Sequence, residues 1–259
     1  MKVFILGSAS DKLKELALQS NIDLHSAGAD ARFFFRALDQ NVLELVDRNK
    51  NSKDFKNNGS ILIDFIQDKR HYQRKALRGK NELMAKALGL KLGFNRVLDL
   101  TAGLAQDSVF MRCLGFEVEA CERNPWIYLM LAMAHQKALE SREHLELFKN
   151  IRFYFYDGKE ILEKFSGNKD KTAVYIDPMY PEKKKDALPR KEMQIFRDLV
   201  GEDEDSEILV DLALKQGYQR VVVKRPLKAP PLRLGPQHSF KGKAVRFDLY
   251  LGKAKGIVK

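Results

Sequence analysis

The stretch RVLDLTAGLAQDSVFMRCLGFEVEACERNP runs from Arg96 to Pro125 and decides the fold. Arg96–Leu100 is a β-prone apolar run that ends in a turn carrying Gly103. Ala105–Cys113 reads as a helix, and Phe116–Cys121 as a second strand. Pro125 then stands at the first turn of a helix predicted to reach Phe148, with Ile127, Met130, Leu131, Ala134, Ala138 and Leu145 at helical spacing. The same alternation continues to the end of the chain. Strands are expected at Ile151–Phe155, Ala173–Ile176 and Arg220–Lys224, and helices at Gly158–Phe165, Glu192–Val200 and Asp205–Gln216. The tail AVRFDLYLG, Ala244–Gly252, alternates as an antiparallel strand does. Strand–helix alternation of this kind predicts an α/β fold, with a mostly parallel sheet covered by helices on both faces.

Residues 1–69 have another texture. Val3–Leu6, Val42–Val46 and Ile61–Phe65 read as short strands, Asp11–Gln19 as a helix, and Asp47–Ser60 as a polar loop. A small α+β subdomain is expected over 1–69, with the catalytic domain over 70–259.

Length and composition bound the function. The chain has 259 residues, 44% of them hydrophobic, which is enough for a real core. Its 46 Lys and Arg outnumber 35 Asp and Glu, for a net charge of +11. This excess points to a polyanionic partner, nucleic acid ahead of anionic membrane. No run approaches the roughly 18–20 apolar residues of a spanning helix. The N-terminal apolar segment, Val3–Leu6, is too short for a signal peptide, so a cytoplasmic protein is expected. Cys113 and Cys121 lack a histidine pair at zinc spacing and read as core residues, with no metal expected.

On a sheet of this kind ligands bind beyond the carboxyl ends of the strands. The first strand end offers Asp99, Gly103, Gln106 and Asp107. Gly103 allows close approach of a ligand, although a tight strand-to-helix turn explains it equally well. The two acids disfavour a pyrophosphate and suit a cationic or hydroxyl-rich group. At the second strand end Glu122 follows the glycine turn by roughly 20 residues, where an acid accepts hydrogen bonds from ribose hydroxyls. It also suits a helix dipole ahead of Pro125. Arg123 is placed to flank an adenine. Asp157 and Gly158, at the third strand end, can meet an exocyclic amine, and Asp157 can equally cap the next helix. The fourth strand ends in Asp177-Pro178-Met179-Tyr180. An acid at successive strand ends, followed by Asp-Pro-x-aromatic, is far more specific than any one of its parts.

This series resembles the class I S-adenosylmethionine-dependent methyltransferases. Asp177-Pro178-Met179-Tyr180 is similar to the Asn/Asp-Pro-Pro-aromatic motif of enzymes that methylate exocyclic amines of bases. LDLTAGLAQD, ERNP, YIDPMYPEKKKDALPRKEMQIFRDLVG, RVVVKRPLKAPPL and GKAVRFDLY closely resemble the RsmJ family of 16S ribosomal RNA guanine-N2 methyltransferases, and the likeness covers about residues 59–251. Gln106 departs from it, standing where some relatives carry a basic residue.

The resemblance implies a Rossmann-like sheet of seven strands, S-adenosylmethionine as cofactor, and 16S rRNA or the small ribosomal subunit as partner. It implies cofactor contacts at Asp99, Gly103, Gln106, Asp107, Glu122, Arg123, Asp157, Gly158 and Asp177. The catalytic set would be Asp177, Pro178 and Tyr180. Asp177 and the Pro178 carbonyl would aim the guanine amine, and Tyr180 would stack on the extruded base. Asp177 serving mainly the cofactor, and Tyr180 lying in the core, remain the plainer alternatives.

Three basic blocks would hold RNA phosphates: Arg74, Lys75 and Arg78; Lys183, Lys184 and Lys185; and Lys224 with Arg225. Each block alone reads as solvated surface. His71, His135, His144 and His238 carry no partner pattern and read as structural or exposed. The rival functions are an adenine-N6 nucleic-acid methyltransferase, a nicotinamide-dependent oxidoreductase and a non-catalytic ribosome-assembly RNA-binding protein. The oxidoreductase would want a fuller glycine fingerprint and leaves Asp177-Pro178-Met179-Tyr180 unexplained.

Overall fold

The structure is a computed structural model that describes residues 2–28, 31–39, 41–48, 59–67, 82–178, 191–201 and 206–252. Its first elements are β1 (Lys2–Leu6), α1 (Asp11–Gln19), β2 (Asp23–Ser26), β3 (Phe33–Asp39), β4 (Val42–Asp47) and β5 (Gly59–Leu62). Then come α2 (Leu83–Leu88), β6 (Arg96–Asp99), α3 (Gln106–Cys113), β7 (Glu117–Cys121), α4 (Pro125–Glu140), α5 (Leu145–Phe148) and β8 (Ile151–Tyr154). The remainder is α6 (Gly158–Lys164), β9 (Thr172–Ile176), α7 (Lys191–Val200), α8 (Ser206–Lys215), β10 (Arg220–Pro226), β11 (His238–Lys241) and β12 (Val245–Leu251).

The chain divides into two compact units. The first gathers Met1–Asp68, Asn124–Phe148 and Pro181–Glu202; the second gathers Lys69–Arg123, Lys149–Tyr180 and Asp203–Lys259. The chain leaves the first unit after Asp68 and later returns to it twice.

In the first unit the strand order is β2-β1-β3-β4-β5. β1, α1 and β2 form a parallel crossover, and β3, β4 and β5 run antiparallel in sequence. Ser10 caps α1, its hydroxyl accepting from Leu13 N at 3.3 Å, while Leu13 and Ala17 face inward. α4 packs on β4. Asn124 caps it, accepting from Trp126 N and Ile127 N at 3.0 and 3.3 Å, with Pro125 in the first turn.

The helix predicted to reach Phe148 stops at Glu140. Ser141 adopts an extended conformation (φ −84°, ψ 115°), and its hydroxyl lies 2.7 Å from His144 Nδ1. The backbone N–H groups of His144 and Leu145 both reach Ser141 O at 2.9 Å, which starts α5 on a new axis. The break falls where Ser141 leaves helical backbone geometry and its carbonyl takes the amides of the next turn.

In the second unit the strand order is β11-β12-β10-β9-β6-β7-β8. The run from β10 through β9, β6 and β7 to β8 is parallel; β12 is antiparallel to β10, and β11 to β12. Val97, Leu98, Ala173–Ile176 and Val221–Val223 have no solvent exposure. Strands buried on both faces are expected to read as such unbroken apolar runs.

The chain builds β6, β7 and β8 in one direction, then places β9 on the other side of β6. The strand order therefore reverses between β6 and β9, where open α/β sheets bind their ligands. Asp99 lies opposite Tyr175 in this pair, so Thr101 and Asp177 emerge together beyond the sheet.

Candidate active site

The turn after β6 is clamped from two sides. Asp99, 1% exposed, accepts from Thr101 N at 3.0 Å and from the Ser108 hydroxyl at 2.5 Å. Burial pushes its pKa up to about 7, against the lowering effect of those two hydrogen bonds. On the other side Gly103 N donates to Glu122 Oε2 at 3.0 Å, and Ala102 N to Cys121 O at 3.0 Å. Gly103 has φ +53° and Ala105 φ +56°. The second is a non-glycine residue in the left-handed region, a conformation that surrounding structure must enforce at a cost of about 1–3 kcal/mol. It launches α3, which carries Asp107 in its first turn.

Opposite α3 lies a cluster of two acids, one cation and one phenol. Lys224 Nζ donates to Asp107 Oδ2 at 2.7 Å and to Asp177 Oδ2 at 2.8 Å. The Tyr175 hydroxyl donates to Asp107 Oδ2 at 2.5 Å. Asp177 N donates to Thr101 Oγ1 at 2.7 Å, and Leu100 N to Tyr175 O at 3.0 Å, so the ends of β6 and β9 are tied together. Val223 lies opposite Ile176 in the β9–β10 pair, which brings Lys224 level with Asp177.

Burial drives the Asp177 pKa up to about 6; Lys224 opposes the rise and Asp107 adds to it. Lys224 is itself pushed above the ordinary lysine range: burial acts to lower it, but the two carboxylates outweigh burial. Burial, then repulsion by Asp107 and Asp177, lifts Tyr175 well above its usual value and keeps it a donor.

The structure brings Asp99, Gly103, Asp107, Glu122, Asp177 and Lys224 to one end of the sheet. Gln106 and Arg123 are exposed at the starts of α3 and of the segment after β7, and Pro178 is buried. Asp157 caps α6: its Oδ1 accepts from Lys159 N and Glu160 N, both at 2.8 Å, and Glu160 Oε2 accepts from Asp157 N at 3.2 Å. A Cβ on Gly158 would lie 2.8 Å from Leu209 Cδ1, so glycine lets α6 approach α8. Arg225, 5% exposed, donates from Nε to Pro230 O at 3.1 Å and lies inside the protein. Tyr180, Arg74, Lys75, Arg78, Lys183, Lys184 and Lys185 lie outside the described residues.

Three residues of the site were not singled out from the sequence: Thr101, Ser108 and Tyr175. Tyr175 carried a usable signal, since a tyrosine inside an apolar parallel strand must find a partner for its hydroxyl.

Comparison with known proteins fixes what this arrangement belongs to. A family model described as SAM-dependent methyltransferase matches residues 18–252. The chain is 46% identical over 189 residues to ribosomal RNA small subunit methyltransferase J of Bdellovibrio bacteriovorus, covering 73% of each chain. The protein of that name from Cellvibrio japonicus is 38% identical over 202 residues, covering 75% of this chain and 76% of its own. The chain belongs to the methyltransferase J family. A crystal structure of a SAM-dependent methyltransferase from Neisseria gonorrhoeae, 28% identical, superposes with a TM-score of 0.73 over 100% of both chains.

Members of this family are enzymes, and S-adenosylmethionine is the cofactor. The donor set fits that molecule. It carries hydroxyls, amines, a sulfonium and one carboxylate but no phosphate, and Asp107, Glu122 and Asp177 stand at these strand ends where a phosphate cradle would need donors. No helix among the described residues is long and apolar enough to cross a membrane.

Proposed function

We propose that the protein transfers a methyl group from S-adenosylmethionine to the exocyclic N2 of a guanosine in 16S rRNA of the small ribosomal subunit. The observation that carries this reading is the position of Asp177 and Pro178. They follow β9 at the reversal of strand order, beside the glycine turn and hydrogen-bonded to it through Thr101. The relatives' name supplies the RNA, and the resemblance of the motif series supplies guanine N2.

Guanine N2 is a weak nucleophile because its lone pair is drawn into the ring. Asp177 Oδ1 and the Pro178 carbonyl accept its two N–H groups and aim its lone pair at the bound cofactor. S-adenosylmethionine would supply an activated methyl group there, and Asp177 or water would take the amine proton released on transfer. The contribution is positioning plus electrostatics. Glu122 holds the ribose hydroxyls and Asp157 Oδ2 the adenine amine, beside Gly158 and Arg123. Asp99, Gly103, Gln106 and Asp107 line the rest of the cofactor. Tyr180 stacks on the extruded base, and Arg74, Lys75, Arg78 and Lys183–Lys185 hold phosphates.

The test is incubation with methyl-labelled cofactor and small subunits that lack the modification, followed by nucleoside analysis. Label in N2-methylguanosine is expected. Label in adenosine, or none in rRNA, overturns the reading.

A further inference from the structure

In sequence, Lys224 begins the basic run Lys224-Arg225 and reads as a phosphate contact. Its surroundings give it other work. Its ammonium lies within 2.8 Å of two carboxylates and its side chain is only 25% exposed. With Asp107 and Asp177 ionised, this cluster has a net charge of about −1, which repels a phosphate rather than attracting one.

We propose that Lys224 is a positioning residue for methyl transfer: it fixes the Asp177 carboxylate through Oδ2 and keeps it ionised, leaving Oδ1 to receive the target amine. The inference rests on the role given to Asp177 above. Four elements face that carboxylate. Asp107 comes from α3, Asp99 from β6, Tyr175 from β9 and Lys224 from β10. Burial and Asp107 favour the protonated form of Asp177; Lys224 supplies the opposing charge and a hydrogen bond to Oδ2. A protonated Asp177 would be a poorer acceptor and could not take the amine proton. Lys224 also joins Asp177 to Asp107, and Asp107 to the Tyr175 hydroxyl, so the carboxylate is held by a chain of bonds reaching back into the sheet.

The experiment is the pH dependence of single-turnover methyl transfer in wild type, Lys224→Met and Lys224→Arg, with RNA affinity measured alongside. Removing an opposite charge at this range moves a carboxylate by about 1–3 pH units. The acid limb of Lys224→Met is therefore expected to move up by that amount, with a roughly 2- to 100-fold lower rate at pH 7. Lys224→Arg should keep the limb near its wild-type position. RNA affinity and its salt dependence should match wild type in Lys224→Met, whereas loss of a phosphate contact would lower the salt slope by about one.

If circular dichroism shows that Lys224→Met does not fold, Lys224→Gln, which keeps a donor without the charge, carries the same expectation. An acid limb that stays at the wild-type pH in a folded, uncharged variant overturns the inference, whatever happens to RNA affinity. Asp177→Asn separates the two readings. If it abolishes transfer while the Lys224 variant keeps the wild-type limb, only the role of Lys224 fails. If wild type itself methylates no guanine, the proposed function fails first.

Discussion

Thr101 Oγ1 accepts the backbone N–H of Asp177 at 2.7 Å, joining the two strand ends between which the sheet reverses its order. The bond sets where the Asp177 side chain begins. Thr101→Val keeps the shape and removes the acceptor. Leaving a half-buried N–H without its partner costs about 1–3 kcal/mol, to be read from denaturant unfolding. The rate of methyl transfer should fall with it, and Thr101→Ser should recover both.

Asp177 is the group proposed to receive the target amine. Asp177→Asn should lower the single-turnover rate by about 10²–10³-fold, the range for loss of one preorganised electrostatic contact. Cofactor affinity, measured by calorimetry, should change by less than about tenfold. A variant that turns over at near the wild-type rate would remove Asp177 from the mechanism.

Asp99 makes stability depend on pH. Its folded pKa of about 7 lies above the ordinary aspartate value of 3.8. The stability it contributes is therefore full below the unfolded value and is lost as pH rises through 7. Between pH 5 and 8 wild type should lose about 3 kcal/mol from this group alone. Asp99→Asn lacks the titration, so its stability relative to wild type should rise across that interval. Chemical denaturation of both proteins at the two pH values measures the difference; a constant gap would refute the shift.

Glu122 accepts the Gly103 N–H, and in the proposed function it also receives the ribose. Glu122→Gln keeps a carbonyl oxygen for the Gly103 N–H but loses the charge. Cofactor binding should weaken by about tenfold, from replacing a charge-assisted hydrogen bond with a neutral one. The melting temperature should move little. Unchanged cofactor affinity would leave Glu122 a turn clamp alone.

Much of this site was legible because sheet geometry puts function at strand ends. The apolar runs at Arg96–Leu100 and Ala173–Ile176 marked the strands, and the acids that close them marked where a candidate site would lie. Lys224 was harder to place. After three valines and before Arg225 it looks like the start of a basic patch, and only its alignment with Asp177 shows which charges it meets. Arg225 misleads in the same way, because the side chain is 5% exposed and its Nε is taken up by the Pro230 carbonyl. The end of α4 was hidden too, since ESREHLE contains no glycine or proline to announce it. β2, β3 and β11 were not anticipated. Three successive phenylalanines, Phe33–Phe35, obscure the period-two pattern in β3, and β2 and β11 are short edge strands.

The first unit draws on three separated stretches of chain, and this bears on how the protein is made. Its sheet strands are all synthesised by residue 68, yet α4, which covers β4, begins only at Pro125, and α7, which packs on β5, ends at Val200. At roughly 5–20 residues per second of translation, the nascent sheet waits on the order of ten seconds for its last helix. During that interval β4 and β5 lack the helices that pack on them in the finished fold.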